Sequence, residues 1–314
     1  MYISIDKKIT VCLLTYNHAE VIKSTLHTIL NQTITDYEII VSDDCSTDGT
    51  WENILDYATV DSRIIPIRTP FNMGMADNAN FAVKQSNRPY IALLHHDDLY
   101  RNDLLEKWAN VLERNLDVGF VFNLYDEANA DNTYGKPYNK ECIDGKWFFE
   151  NALLPKWGCA VRGTAMIRRS YWVELGGMRP QFNMLADIDL WMRLSRIANV
   201  GYVNEPLISV RALRPEHYPD IYTGKQWHWK RHVILYDIHA INRLEYLKMN
   251  TIIGRLRWWR FIFKLNLDTT KWLVYAIIRK KTDMITSSYE SVTEYDLWPL
   301  NILRRILQWF FTPA

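Results

Sequence analysis

Two stretches of this sequence concentrate side chains that do chemistry. Residues 41–50 read V-S-D-D-C-S-T-D-G-T, and residues 93–100 read L-L-H-H-D-D-L-Y. Each follows an apolar, β-prone run, so Asp43–Asp44 and Asp97–Asp98 are expected as carboxylate pairs at strand ends. If those strands are neighbours, the two pairs converge on one crevice. Converging carboxylates repel, which is costly unless a cation or a donor-rich ligand compensates. A hard divalent ion with a diphosphate is the economical answer, because Mg²⁺ takes one or two carboxylates together with phosphate oxygens. The plain alternative for each pair is a turn and helix cap: S-T-D-G also starts a helix, and Asp97–Asp98 can cap one. Each alternative is reasonable alone; both together, in this order, are less so.

The elements that must position these carboxylates are legible as alternating patterns. Thr10–Leu14, Glu38–Val41, Ile64–Ile67, Tyr90–Leu94 and Val118–Phe122 are short β-rich runs. Residues 20–31, 48–58, 75–86 and 103–115 show helical spacing between and after them. Continuous apolar strands separated by amphipathic helices predict an α/β fold with a mainly parallel sheet covered on both faces. Ligands of such sheets bind outside the carboxyl ends of the strands, where the acidic pairs lie. Residues 124–157 are polar and read as an irregular excursion over the active face. Gly163–Arg168 returns as a strand, and 187–197 is a helix with Leu190, Trp191, Leu194 and Ile197 as its apolar stripe. Val200–Val203 and Leu207–Val210 read as two closing strands. Beyond Gly224 the pattern is helical, which sets domains at 1–223 and 224–314.

Taken together, these segments resemble the family 2 glycosyltransferases, which have the GT-A fold. The opening V-C-L-L-T-Y-N-H, then Y-E-I-I-V-S-D-D-C-S-T-D-G-T, F-N-M-G-M-A-D-N-A-N and Y-I-A-L-L-H-H-D-D match that family's donor-side segments. G-T-A-M-I-R-R-S-Y-W-V-E-L-G-G-M and A-D-I-D-L-W-M-R-L match its acceptor-side segments, and the likeness spans about residues 9–215. The resemblance implies an inverting transferase that moves a sugar from a nucleotide diphosphate, commonly a UDP-sugar, to a hydroxyl of a glycan or polyprenyl-linked acceptor. It implies that Thr15, Tyr16, Asn17, Asp43, Asp44, Asn72 and Asp97 bind the nucleotide. It implies that Asp98, with Asp97, holds a divalent cation (Mg²⁺ or Mn²⁺), and that Asp187 is the catalytic base. Trp157 is expected on the acceptor side, stacking on a sugar ring; for Trp191, core packing is the better reading.

Three positions depart from the family pattern. His95 stands two residues before Asp97, where the family often has Asp; a tolerated neighbour is preferred over a nucleotide donor. Ala186 precedes Asp187 in place of an acid. Asn78-Ala79-Asn80 replaces Ala-Arg-Asn, so a cation near the phosphates is missing; Arg211, Arg214 or His217 would supply it, or else belong to a surface loop. The mechanism needs an ionised base within reach of a weakly nucleophilic hydroxyl, and Asp187 at a helix N-terminus suits that. One displacement on the opposite face inverts the anomeric carbon.

Charge is divided unevenly along the 314 residues. The whole carries a formal +1, from 37 Lys+Arg and 36 Asp+Glu. Residues 1–223 have 22 basic against 29 acidic side chains, whereas 224–281 have 13 against 3. Within 251–281, Arg257, Arg260, Lys264 and Lys271 share one helical face, and Ile252, Leu256, Trp259 and Phe263 another. That pattern, echoed at 302–311, predicts a helix lying on an anionic membrane surface. A bundle packed on the catalytic domain, or a homo-oligomer contact, is the alternative. The acidic body argues against nucleic acid. No apolar run approaches the ~20 residues of a membrane span, and no signal peptide is visible, so a cytoplasmic protein peripheral to the inner membrane face is expected. Four cysteines without C-x-x-C spacing suggest reduced thiols. A nucleotidyltransferase or dehydrogenase would show a Gly-rich phosphate loop after the first strand, and T-Y-N-H has none. A non-catalytic nucleotide or glycan binder remains as the other class; Ala186 and Ala79 favour it and the retained aspartates oppose it.

Overall fold

The computed structural model describes residues 8–128, 133–155, 159–211, 225–280, 297, 302–303 and 305–307. The chain divides into two compact units, Met1–His217 and Tyr218–Ala314.

The first unit is organised around one mixed sheet. Its first half runs β1 (Ile9–Thr15), α1 (Ala19–Leu30), β2 (Tyr37–Asp43), α2 (Thr50–Val60), β3 (Ile64–Arg68), α3 (Met75–Lys84) and β4 (Tyr90–His95). Then come β5 (Asp98–Tyr100), α4 (Leu104–Arg114), β6 (Val118–Glu127), β7 (Thr133–Tyr134), β8 (Cys142–Ile143) and α5 (Gly145–Phe148). β9 (Ala165–Arg168), α6 (Arg169–Leu175), α7 (Ala186–Ile197) and β10 (Asn199–Val210) complete it. The main path of the sheet is β3-β2-β1-β4-β9-β6-β10-β5. β3, β2, β1 and β4 are parallel, β9 is inserted antiparallel between β4 and β6, and β5 pairs antiparallel with β10.

The sequence explains the central position of β1. All seven residues of I-T-V-C-L-L-T are buried, so this strand is stable only with both sheet faces covered. The chain steps from β1 outward to β2 and β3, then returns to lay β4 on the other side of β1. Right-handed crossovers therefore put α1 and α2 on one face and α3 on the other. Ile22, Leu26 and Ile29 of α1 and Ile54 of α2 are fully buried, as are Ala79 and Ala82 of α3. Reversal of the winding direction beside β1 leaves a crevice outside the carboxyl ends of β1 and β4. On α4, Trp108 is fully buried and its indole N–H donates to Asn123 Oδ1 at 3.0 Å, which satisfies the one polar atom the ring brings inside.

Several expected boundaries change. Residues 124–157 are not an irregular excursion throughout: β6 continues to Glu127, Cys142–Ile143 pairs with β10, and 145–153 is helical. The two closing strands are one strand, β10, with irregular register on either side of Pro206. Proline has no N–H for a ladder bond, and the strand kinks there without ending. The four cysteines are free thiols.

In the second unit, α8 (Lys225–Tyr246) and α9 (Ile252–Ile278) are described. Thr251 caps α9 by accepting from Gly254 N at 3.0 Å. One face of α9 buries Phe261, Ile262, Leu265, Leu273 and Ala276. Ile252, Leu256, Trp259 and Phe263 lie at helical spacing on another face and are each more than half exposed. No helix among the described residues is long and apolar enough to cross a membrane.

Candidate active site

The turn after β2 is built from its own polar side chains. Asp43 is fully buried; its carboxylate accepts from Ser46 N at 3.1 Å and from the Ser46 hydroxyl, and Arg68 Nε stands 3.2 Å away. Burial pushes the Asp43 carboxyl up, against the pull of Ser46 and Arg68. Asp44 clasps the loop that follows β3: Oδ1 accepts from Thr69 Oγ1 (2.9 Å) and Met73 N (2.8 Å), and Oδ2 accepts from Gly74 N (2.8 Å). The helix cap that is the alternative reading of this pair falls to Asp48, which accepts from Ala19 N at the start of α1 and from Thr50 N at the start of α2, each at 3.0 Å. Asn17, at φ 53°, ties the β1 turn to this one, accepting from Thr47 N at 2.8 Å and donating its own N–H to Ser46 Oγ at 2.9 Å.

The end of β4 is organised differently. Asp97 lies in a turn and Asp98 opens β5, so neither caps a helix; α4 begins at Leu104 behind Asp103. Asp98 is fully buried, and neither carboxylate oxygen has a hydrogen-bond partner. Arg162 Nη2 stands 3.6 Å from Oδ1 and His95 Nδ1 3.9 Å from Oδ2. Burial, then the neighbouring Asp97, pushes the Asp98 carboxyl up to about 6. A buried carboxylate with four empty lone-pair sites fits a cation, which would satisfy what no protein donor does. Ligand atoms of His95, Asp97 and Asp98 lie within 4.8 Å of one another. The main chain here is held by Tyr100, whose hydroxyl donates to His95 O at 2.7 Å and accepts from His95 N at 2.8 Å.

A third strand end contributes Thr15, whose buried Oγ1 also has no hydrogen-bond partner. Between the turns of β1 and β4 two imidazoles are packed together, His18 against His96, with ring centres 3.5 Å apart. His96 Nδ1 lies 2.8 Å from Leu14 O. Burial, then the second imidazole, depresses His18 to about 3, so it is neutral beside the acidic groups.

Asp187 enters from α7. It sits in the first turn of that helix. Gly163, at φ +68°, separates it from the β4 turn. An ideal Cβ on Gly163 would stand 3.0 Å from His95 Nε2 and 3.2 Å from Asp187 Oδ2. His95 Nε2 and Asp187 Oδ2 are therefore within about 6.2 Å of each other. Asp189 is fully buried and holds Arg193 Nε at 2.7 Å. Arg193 in turn donates to Leu175 O at 2.9 Å and Gly177 O at 2.7 Å, which fixes the turn before α7. Trp191 is in the core, with its ring centre 5.1 Å from that of Phe120.

Of the residues singled out in the sequence, the structure brings Asp97 and Asp98 together, and the Gly163 contacts join Asp187 to them through His95. Tyr16 and Asn17 follow β1 directly and are partly exposed; Asn72 is exposed, and its Oδ1 accepts from Gly74 N at 3.2 Å. Arg211 reaches the site as a clamp: Nη1 donates to Asp97 O at 3.0 Å and to Thr25 Oγ1 at 3.1 Å. Trp157, Arg214 and His217 lie outside the described residues. Asn78 and Asn80, which replace part of an expected cationic motif, are both structural. Asn78 Nδ2 donates to Ser42 O at 3.1 Å, and Asn80 exchanges two hydrogen bonds of 2.9 Å with the main chain of Met178. Sequence reasoning missed Arg162 and Gly163, which carry no local signal, and set His95 aside.

A sequence model of the family described as "Glycosyl transferase family 2" matches residues 10–176. The chain is similar to the putative teichuronic acid biosynthesis glycosyltransferase TuaG of Bacillus subtilis (strain 168). The two are 28% identical over 240 residues, covering 74% of this chain and 88% of that protein. It is also 25% identical over 199 residues to the Escherichia coli UDP-Glc:alpha-D-GlcNAc-diphosphoundecaprenol beta-1,3-glucosyltransferase WfgD, covering 63% of this chain and 74% of that one. Among solved structures, S. aureus TarS superposes with a TM-score of 0.64 at 15% identity, covering 96% of this chain. This chain spans about half, 52%, of that TarS chain, and 86% of TarS 1-349 solved in complex with UDP-GlcNAc, also at TM-score 0.64.

Proposed function

The chain belongs to glycosyl transferase family 2, and from that premise we propose that it transfers a sugar from a nucleotide diphosphate donor to a hydroxyl of a glycan or lipid-linked acceptor. It is a glycosyltransferase with the GT-A fold. The proposal is that a UDP-sugar is the donor and that a single displacement inverts the anomeric carbon. A UDP-glucose donor and a diphosphoundecaprenol acceptor in the printed name of WfgD, and UDP-GlcNAc in a TarS complex, support the donor and acceptor classes.

Each residue's part follows from its chemistry. Thr15, Tyr16, Asn17, Asp43, Asp44 and Asn72 shape the nucleotide pocket around the β1 and β2 turns. Asp44 does so by holding the loop at Met73–Gly74 as well as by its own carboxylate. Asp97 and Asp98 hold the divalent cation, Mg²⁺ or Mn²⁺, which when bound would neutralise charge on the diphosphate. Asp187 accepts the proton of the acceptor hydroxyl as it attacks. A carboxylate within hydrogen-bond reach of the acceptor hydroxyl can serve as that base. The observation that carries this reading is the orphaned, buried Asp98 carboxylate, whose neighbour His95 faces Asp187 across the side-chain-free Gly163.

In the second unit, the exposed Ile252, Leu256, Trp259 and Phe263 of α9, with Arg257, Arg260 and Lys264 exposed beside them, support membrane-surface contact through 251–281. Anionic headgroups would add about 1 kcal/mol per nearby Lys or Arg.

A thermal-shift screen of UDP, GDP, TDP and CMP, with and without Mn²⁺ or Mg²⁺, tests the donor site. A cation-dependent shift with one nucleotide, absent in Asp98→Ala, is expected. Asp187→Asn should then keep that shift and lose about 10²–10⁴-fold in turnover. Intact turnover in that variant would remove Asp187 from the mechanism.

A further inference from the structure

We infer that His95 is a protein ligand of the cation, so that the centre is one imidazole and two carboxylates and discriminates against Mg²⁺. The inference rests on the cation reading above and adds to it the identity of a third ligand and the metal preference that follows.

Five observations carry it. His95 Nδ1 is 3.9 Å from Asp98 Oδ2, and ligand atoms of His95, Asp97 and Asp98 form one group within 4.8 Å. Ligands on a first-row ion at ~2.0–2.2 Å stand at most ~4.4 Å apart, so the trio closes on an ion by a few tenths of an ångström. Asp98 supplies two buried oxygens that no protein donor uses. The imidazole is positioned and not merely nearby, because Tyr100 pins the His95 main chain by both its N–H and its carbonyl. Its place is kept open by Gly163, where a Cβ would approach the ring to 2.7 Å at Cε1. The His95 side chain is about one-third exposed (35%), so the ring borders solvent and not the core.

The chemistry of the donor set then decides the metal. Mg²⁺ prefers oxygen ligands and dehydrates reluctantly. Imidazole suits the later first-row ions, and affinity for a mixed nitrogen and oxygen site rises from Mn²⁺ to Co²⁺. A carboxylate at position 95 would give an all-oxygen set; histidine there moves the preference away from Mg²⁺.

Pulsed EPR on the full chain loaded with Mn²⁺ and inorganic pyrophosphate tests this directly, because pyrophosphate offers diphosphate oxygens and no nitrogen. The wild type is expected to show directly coordinated ¹⁴N, lost in His95→Asp while Mn²⁺ remains bound. Titration calorimetry with Co²⁺ and Mg²⁺ should show the Co²⁺-over-Mg²⁺ preference falling at least tenfold in the same variant. Bound Mn²⁺ without ¹⁴N coupling, or coupling that survives in His95→Asp, would overturn the ligand assignment and leave the cation reading standing. Failure of the wild type to bind Mn²⁺ at all would overturn both. Asp98→Ala, which removes the orphaned carboxylate, should abolish the ¹⁴N signal; its persistence would place the ion elsewhere and refute the assignment.

Discussion

Asp98 makes the site costly when it is empty, and the cost can be measured. Its carboxyl is fully buried without a hydrogen bond, and burial with the Asp97 charge raises it from 3.8 to about 6. Each pH unit of that difference is worth about 1.4 kcal/mol, so the ionised group costs the folded chain about 3 kcal/mol at neutral pH. A folded-state value raised above the unfolded one gives stability that is complete below pH 3.8 and is lost as pH rises through about 6. Asp98→Asn keeps the shape and removes the charge. The pull of Arg162 is already contained in the value of about 6, so the expected gain at pH 8 is about 3 kcal/mol. Urea unfolding of both proteins without cation or nucleotide should find the variant more stable at pH 8, with the difference vanishing near pH 4. Saturating Mn²⁺ and UDP should reverse the order, because they stabilise only the chain that binds them. A variant less stable than wild type at pH 8, or a difference independent of pH, would refute the account of Asp98 as an uncompensated buried charge.

Other perturbations probe the supports around it. Gly163→Ala puts a Cβ at positive φ and 2.7 Å from His95 Cε1, with Asp187 Oδ2 3.2 Å away; kcat should fall about 10–100-fold in a turnover assay, since displacements of about 1 Å cost that much. Arg193→Met leaves Asp189 buried without its 2.7 Å partner, and urea unfolding should record a loss of about 3 kcal/mol. His18 is neutral when folded, depressed from 6.5 to about 3 by burial and then by His96, so the unfolded chain binds the extra proton. Its stabilisation is present above pH 6.5 and is lost as pH falls toward 3, about 1 kcal/mol of it between pH 6.5 and 5.5. His18→Gln should flatten that part of the stability–pH curve, and an unchanged slope would assign the acid sensitivity elsewhere.

The sheet was legible in the sequence because its parallel strands are short, continuous apolar runs. Runs such as T-V-C-L-L, E-I-I-V and Y-I-A-L-L fit doubly covered strands, and the aspartate pairs just past the second and third of these fall at the ligand edge. What the sequence hid is non-local. β5 is three residues long, too short to show a period, and exists because Asp98–Tyr100 pairs with Ile208–Val210 more than a hundred residues later. That pairing removes the alternative reading of Asp98 as a helix cap and buries its carboxylate. The Asp44 loop clasp and the Arg211 clamp on Asp97 O likewise depend on partners brought in by tertiary structure, so residue type alone could not separate positioning from contact with a ligand.

The charge balance at the centre makes the same point. The sequence departs from its family at Asn78-Ala79-Asn80, and Arg211, Arg214 or His217 is one candidate source of the missing cation, a surface loop being the other reading of that segment. Arg211 reaches the Asp97 carbonyl, and the structure adds a second cation from a different place. Arg162 lies just before β9, the strand inserted antiparallel between β4 and β6, and that insertion carries its guanidinium to 3.6 Å from Asp98 Oδ1. The guanidinium is also held over the Tyr125 ring at 5.0 Å, so part of its interaction is with a face that does not titrate. Arg162 at that distance, with Arg211 on the Asp97 carbonyl, does not outweigh burial and the Asp97 charge, which hold Asp98 near 6. The remaining negative charge gives a divalent ion its reason to bind, and His95, placed by Gly163 on the same side, decides which ion that is.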